Sequence, residues 1–147
     1  GLILVCAGAG GHAGTLSPFA LLGEVREFWD GPIVLAGSLG SGRALRALEV
    51  MGADLGYMGT RFIATREANV PEEQKQLMLR SAAADIVYTP VFSGIKANYL
   101  RGSIERAGLD PDRLEPGAGP GTDLFDPAKA DAKAWKDIWS AGHGVGT

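Results

Sequence analysis

Apolar residues in this chain fall into short unbroken runs that alternate with longer stretches of helical periodicity. Leu2-Ile3-Leu4-Val5-Cys6-Ala7 is a continuous apolar run bounded by glycines, the pattern of a parallel strand covered on both faces. Leu21, Leu22, Val25, Phe28 and Trp29 then recur at helical spacing. Ser17 is the expected N-cap of that helix, Pro18 suits its first position, and Asp30-Gly31 ends it. Pro32-Ile33-Val34-Leu35-Ala36 predicts the next buried strand, followed by a helix through Ala44, Leu45, Leu48 and Met51 that Gly52 and Asp54 close. Leu55-Gly56-Tyr57-Met58 reads as a short third strand.

Beyond a polar segment, Pro71-Glu72-Glu73 opens a helix that continues to residue 83, its acidic first turn matched to the positive end of the helix dipole. Asp85-Ile86-Val87-Tyr88-Thr89 predicts a fourth strand ended by Pro90, and residues 98–107 a further helix with Leu100 and Ile104 on one face. Residues 109–129, rich in Pro, Gly and Asp, read as a loop or linker. A last helix is expected over residues 130–140, with Trp135 and Trp139.

Strands alternating with helices imply a parallel sheet, which both an open doubly wound sheet and a (β/α)8 barrel accept. In either, ligand chemistry lies at the carboxyl ends of the strands. A barrel usually takes about 250 residues. About four βα units therefore correspond to the C-terminal half of a TIM barrel, with a C-terminal helical segment added. The expected division is βα units over residues 1–108, and a truncated loop and helical segment over 109–147. The chain starts within a strand and without Met, so preceding sequence is expected to complete the barrel.

The 147 residues suffice for one core. No apolar run approaches the roughly 20 residues of a membrane span. The net charge of −3, with no basic cluster, argues against nucleic acid as a partner. The single cysteine, Cys6, excludes an internal disulfide and fits a reducing compartment, so a cytoplasmic location is expected. It reads as a small core residue, Trp29, Trp135 and Trp139 as core or interface aromatics, and Glu72, Glu73, Lys75 and Arg80 as a solvated helix face. No His, Cys or Asp cluster has metal-ligand spacing, and Asp110-Pro111-Asp112 is too sparse for a calcium loop.

The candidate chemistry gathers at the strand ends. Residues 8–14 hold four glycines and one of the two histidines, and glycines without Cβ let backbone N–H groups approach a ligand closely. Gly37-Ser38-Leu39-Gly40-Ser41-Gly42 lies between a strand and a helix, where free N–H groups and the helix dipole favour phosphate. Gly59-Thr60, one βα unit later, offers another N–H and a hydroxyl. Two adjacent strand ends converging on one anion is an arrangement of barrel phosphate sites; the alternative is that these glycines only make tight turns. Neither a Walker loop nor a Gly-x-Gly-x-x-Gly fingerprint is present at this stretch. His12 is either a solvated or hydrogen-bonded structural residue or a base placed at a strand end beside close-approach glycines. Arg61 is left outside the site, since an arginine after a strand end often pairs with a carboxylate.

Gly10-Gly11-His12-Ala13-Gly14, Leu35-Ala36-Gly37-Ser38, Gly52-Ala53-Asp54 and Tyr57-Met58-Gly59-Thr60-Arg61-Phe62 stand in the order and spacing of the nitronate monooxygenase family, formerly called 2-nitropropane dioxygenases, which the chain resembles. Trp135-Lys136-Asp137-Ile138-Trp139-Ser140-Ala141-Gly142 also looks like that family's C-terminal region, so the resemblance covers nearly the whole chain. FMN-type enoyl-acyl carrier protein reductases share much of it.

The resemblance implies a TIM barrel that binds FMN without a covalent link and oxidises an alkyl nitronate or nitroalkane with O2. It implies His12 as the catalytic residue, with Gly10 and Gly11 bordering the flavin. Gly37, Ser38, Met58, Gly59 and Thr60 would hold the FMN phosphate. Two positions depart from the pattern. Ser38 stands where the family commonly has a second glycine, and its hydroxyl could still donate; Ala141-Gly142-His143 replaces the common Ala-Gly-Gln. His143 is expected as a polar loop residue. The alternatives are an FMN-dependent enoyl-acyl carrier protein reductase and a non-catalytic flavin-binding fragment, and a homo-oligomer is left open.

Overall fold

The structure is a computed structural model that describes residues 1–114 and 137–146. Its first half contains β1 (Leu2–Val5), β2 (Gly11–His12), α1 (Pro18–Arg26), β3 (Ile33–Ala36), α2 (Gly42–Met51) and β4 (Leu55–Tyr57). There follow α3 (Thr60–Ile63), α4 (Glu72–Arg80), β5 (Ile86–Thr89), β6 (Ala97–Leu100) and α5 (Arg101–Arg106). No described helix is long and apolar enough to cross a membrane.

The helix boundaries follow local chemistry. The Ser17 hydroxyl accepts the Ala20 N–H at 3.2 Å, with Pro18 at the first helical position. Ser41 caps α2 in the same way through Ala44 at 3.3 Å, and Gly52 closes it in the left-handed conformation with φ 97°. Phe28 and Trp29, expected inside the first helix, lie beyond its end at Arg26.

β1, β3 and β4 form a parallel sheet in the order β1-β3-β4, with Leu4 opposite Leu35 and Ala36 opposite Tyr57. Leu4, Cys6, Ile33 and Leu35 project toward the helices and build a core with Leu22, Val25, Leu48 and Ala53. The contact between α2 and β4 requires Gly56: a Cβ there would lie 2.4 Å from Leu45 Cδ2 and 3.0 Å from Leu48 Cδ2. The other face differs from expectation. Ile3, Val5, Leu55 and Tyr57 remain exposed, so the described residues cover this sheet on one face only.

The fourth expected strand exists, but not in that sheet. β5 pairs antiparallel with β6, and β6 with β2, giving a second sheet in the order β2-β6-β5. Residues 90–96 are too few for a parallel crossover, which needs a dozen or more residues, so the chain returns beside β5 in the opposite direction. The helix expected over residues 98–107 is therefore corrected to a strand through Leu100 followed by the short α5. Of the expected last helix, residues 130–136, including Trp135, lie outside the described residues. Ser140 is not helical: it bridges antiparallel to Tyr99, and the Leu100 N–H donates to Trp139 O at 2.9 Å.

Arg26 ties the first units together. Its guanidinium donates to the carbonyls of Gly52 and Gly31 at 2.6 and 2.7 Å and to the Asp54 carboxylate at 2.9 Å. The Ile33 N–H donates to the same carboxylate at 2.8 Å. These contacts, the Ile33 N–H first and Arg26 second, hold the Asp54 carboxyl below its ordinary value. A carboxyl lowered in the folded state stabilises fully above its unfolded pKa of about 3.9 and loses that contribution as pH falls toward the folded value. Urea midpoints measured from pH 7 to pH 2.5 are therefore expected to fall in the acid range, whereas Asp54→Asn starts lower at pH 7 and declines less steeply.

Candidate functional site

Because β1, β3 and β4 are parallel, their carboxyl ends emerge along one edge. A cavity of about 410 Å³ opens there, within the range of roughly 300–1,000 Å³ typical of small-molecule sites. Gly10, Gly11 and His12 border it from the first loop, Gly37 and Ser38 from the second, and Met58, Gly59 and Thr60 from the third. The eight residues singled out from sequence thus surround one space. Its floor is the uncovered sheet face, with Ile3, Val5 and Tyr57, and Ser140, Gly142 and Gly144 close a further side. The floor was hidden in sequence because a buried strand and a cavity-lining strand read alike. The Ala141-Gly142-His143 motif was the available signal for the C-terminal wall.

The first loop, the second loop and the C-terminal wall are fastened at the Gly8 carbonyl, which accepts the Ser38 N–H at 3.2 Å and the His143 N–H at 2.9 Å. The Ser38 hydroxyl donates to Ala7 O at 3.3 Å. Both Ser38 donors are thus directed at the first loop, and Ser38 straps two loops together rather than presenting a free donor to the cavity. It is the one non-glycine residue at positive φ among the described residues, at 57°. The Thr60 hydroxyl oxygen accepts the Gly142 N–H at 2.9 Å, which leaves the Thr60 proton available to donate.

His12 occupies β2 opposite Ala97, and its Nε2 lies 3.2 Å from Ser93 Oγ. The loop before it is held by Asn98, a buried residue of β6 whose Nδ2 donates to Ala9 O at 2.6 Å. His143 is exposed, and its ring packs against Gly8. Cys6 is fully buried, its thiol pushed up by desolvation, and its place in the helix-facing core fits packing. Arg61 forms no ion pair with a described carboxylate.

Residues 2–109 match the family model described as nitronate monooxygenase. The chain belongs to the nitronate monooxygenase family. It is 30% identical over 146 residues to the nitronate monooxygenase of Paraburkholderia phytofirmans, an alignment that covers 93% of this chain and 39% of that protein. Among solved structures, nitroalkane oxidase from Streptomyces ansochromogenes superposes with a TM-score of 0.66 at 28% identity, over 97% of this chain and 45% of that one. FabK from Thermotoga maritima shares the fold with a TM-score of 0.70 at 24% identity, over 98% of this chain and 47% of that one. The chain spans less than half the length of these relatives and carries part of the (β/α)8 barrel fold.

The glycines of the site divide into two kinds. A Cβ at Gly8, where φ is +80°, would lie 2.2 Å from Ser38 Oγ and 2.8 Å from His143 Nδ1, whereas one at Gly11, where φ is +73°, meets nothing within 4 Å. Gly11→Ala is expected to cost only the left-handed penalty of about 1–2 kcal/mol. Gly8→Ala adds an overpacking cost of about 1–3 kcal/mol. Denaturant titration of the two variants checks the order; equal losses would contradict the packing described.

Proposed function

We propose that this chain carries the flavin-phosphate site and the catalytic base of an FMN-dependent nitronate monooxygenase. In this reading residues 1–108 supply barrel units, and within the segment 109–147 the described residues 137–146 return over the strand ends. Its substrates are an alkyl nitronate or the parent nitroalkane, and O2. The observation that carries the reading is the convergence of the Gly10-Gly11-His12, Gly37-Ser38 and Met58-Gly59-Thr60 loops on one cavity, in a chain of this family.

The residues present fit the cofactor. At Gly11 and Gly59 the wall is bare backbone, where a Cβ would stand in open space. Thr60 retains a hydroxyl proton for an anionic oxygen, and Ile3, Val5 and Tyr57 offer an apolar floor to a flat ring system. Ser38 contributes by holding the first and second loops at the spacing the anion needs. When bound, FMN supplies the electron acceptor for the nitronate and the electron donor for O2. When the substrate is the nitroalkane, His12 takes the proton from the carbon that bears the nitro group and leaves the nitronate, and the apolar floor keeps water from the reacting atoms. A positioned general base contributes about 10²–10⁴-fold.

FMN added to the chain is expected to bind, read as a shift and sharpening of the flavin absorbance bands. Thr60→Val should weaken that binding about tenfold, the equivalent of about 1.4 kcal/mol. His12→Ala should keep FMN and lower nitroalkane-dependent O2 consumption by about 10²–10⁴-fold. Failure to bind FMN would overturn the reading, FMN binding without turnover would favour a non-catalytic flavin-binding fragment, and NAD(P)H-driven reduction of an enoyl thioester without nitronate oxidation would favour the reductase.

A further inference from the structure

The contact that holds His12 also decides which of its ring nitrogens carries the hydrogen. Ser93 is buried in the turn between β5 and β6, and its hydroxyl has three polar neighbours. They are His12 Nε2 at 3.2 Å, the Ile95 carbonyl oxygen at 2.9 Å and the Tyr99 hydroxyl at 3.4 Å. Ser93 has one proton, and the Ile95 carbonyl can only accept, so that proton is directed at Ile95. The Ser93 oxygen must then accept from both other neighbours. Tyr99 supplies its phenolic hydrogen, and His12 must supply one from Nε2.

The surroundings keep this arrangement in place. Phe92 meets Tyr99 edge to face, with ring centroids 5.0 Å apart, which braces the turn against the strand. Pairing of His12 with Ala97 sets the imidazole beside that turn. Nδ1 has no hydrogen-bond partner among the described residues.

We propose that Ser93 is a positioning residue that locks neutral His12 as the Nε2–H tautomer, so that Nδ1 is the atom that takes the proton. The proposal deepens the reading of His12 as the base and rests on it for its catalytic consequence. In the step concerned, the proton passes from the substrate carbon to Nδ1 and the C–H electron pair stays on the substrate as the nitronate. The Nε2–H···Ser93 bond needs no rearrangement during the transfer, and it becomes charge-assisted once the imidazolium forms.

The test is a long-range 1H–15N correlation spectrum of the full chain labelled with 15N-histidine. There are only two histidines, so a His143→Gln variant assigns both sets of signals. At pH values where His12 is neutral, its Nε2 is expected to be pyrrole-like and its Nδ1 pyridine-like. Ser93→Ala should move both signals toward the average of the two tautomers, and Ser93→Thr should restore them. Nitroalkane turnover in Ser93→Ala should fall about tenfold or more, within the roughly 10²–10⁴-fold that a positioned base supplies.

An Nδ1–H tautomer in the wild-type chain would overturn the proposal, as would an unchanged pattern in folded Ser93→Ala. If Ser93→Ala does not fold, the wild-type tautomer decides the matter. A locked Nε2–H tautomer that Ser93→Ala releases, together with wild-type turnover by His12→Ala, would overturn the base reading and leave the lock standing.

Discussion

One carbonyl oxygen, that of Gly8, holds the site together. Its two lone pairs take the N–H groups of Ser38 and His143, so segments from three distant parts of the chain meet at one atom. Such a junction leaves no room for side chains. A Cβ at Gly142 would lie 2.4 Å from Gly8 O, and one at Gly37 2.8 Å from Ala7 O. Much of the glycine richness at the strand ends therefore serves the packing of backbone on backbone. Gly11 and Gly59 are different, because the space in front of them is open.

The two sheets divide the work of the site. The parallel sheet delivers the strand-end loops proposed to hold the phosphate, because the carboxyl ends of its strands share an edge. The antiparallel sheet delivers the histidine, by pairing Gly11 and His12 with β6. β6 is buried along its whole length and links the two: Asn98 holds the glycine loop through Ala9 O, and the Asn98 carbonyl accepts the Ala141 N–H at 3.3 Å. His12 and the strand-end loops thus keep a fixed separation, which the proposed general-base chemistry requires.

The uncovered face of the parallel sheet gives the cavity its apolar floor. Ile3, Val5, Leu55 and Tyr57 share that face, while Leu4, Cys6, Ile33 and Leu35 turn to the helices. This in-and-out alternation is the pattern of barrel strands. It is less visible in the sequence because residues on both sides are apolar.

Ser17 and Gly52 announced helix ends because each acts on backbone groups within a few residues of itself, as Ser41 also does, so the local sequence contains the whole interaction. The strand–helix alternation and the residues of the three strand-end loops were legible for the same reason. Asn98, Tyr99 and Leu100 were not, since Leu100 and Ile104 also stand at helical spacing. What made them a strand was edge pairing with Ile86–Thr89 and contact with Trp139 and Ser140. The links between His12 and Ser93, 81 residues apart, and between Thr60 and Gly142, 82 apart, have no local signature either. The sequence by itself determined the helix caps, the parallel units and the candidate loops. Only the tertiary structure decided how β5 and β6 pair, which hydroxyls are already engaged at the cavity and that His12 meets Ser93, because strand edges and lone pairs are claimed by groups that folding brings from far along the chain.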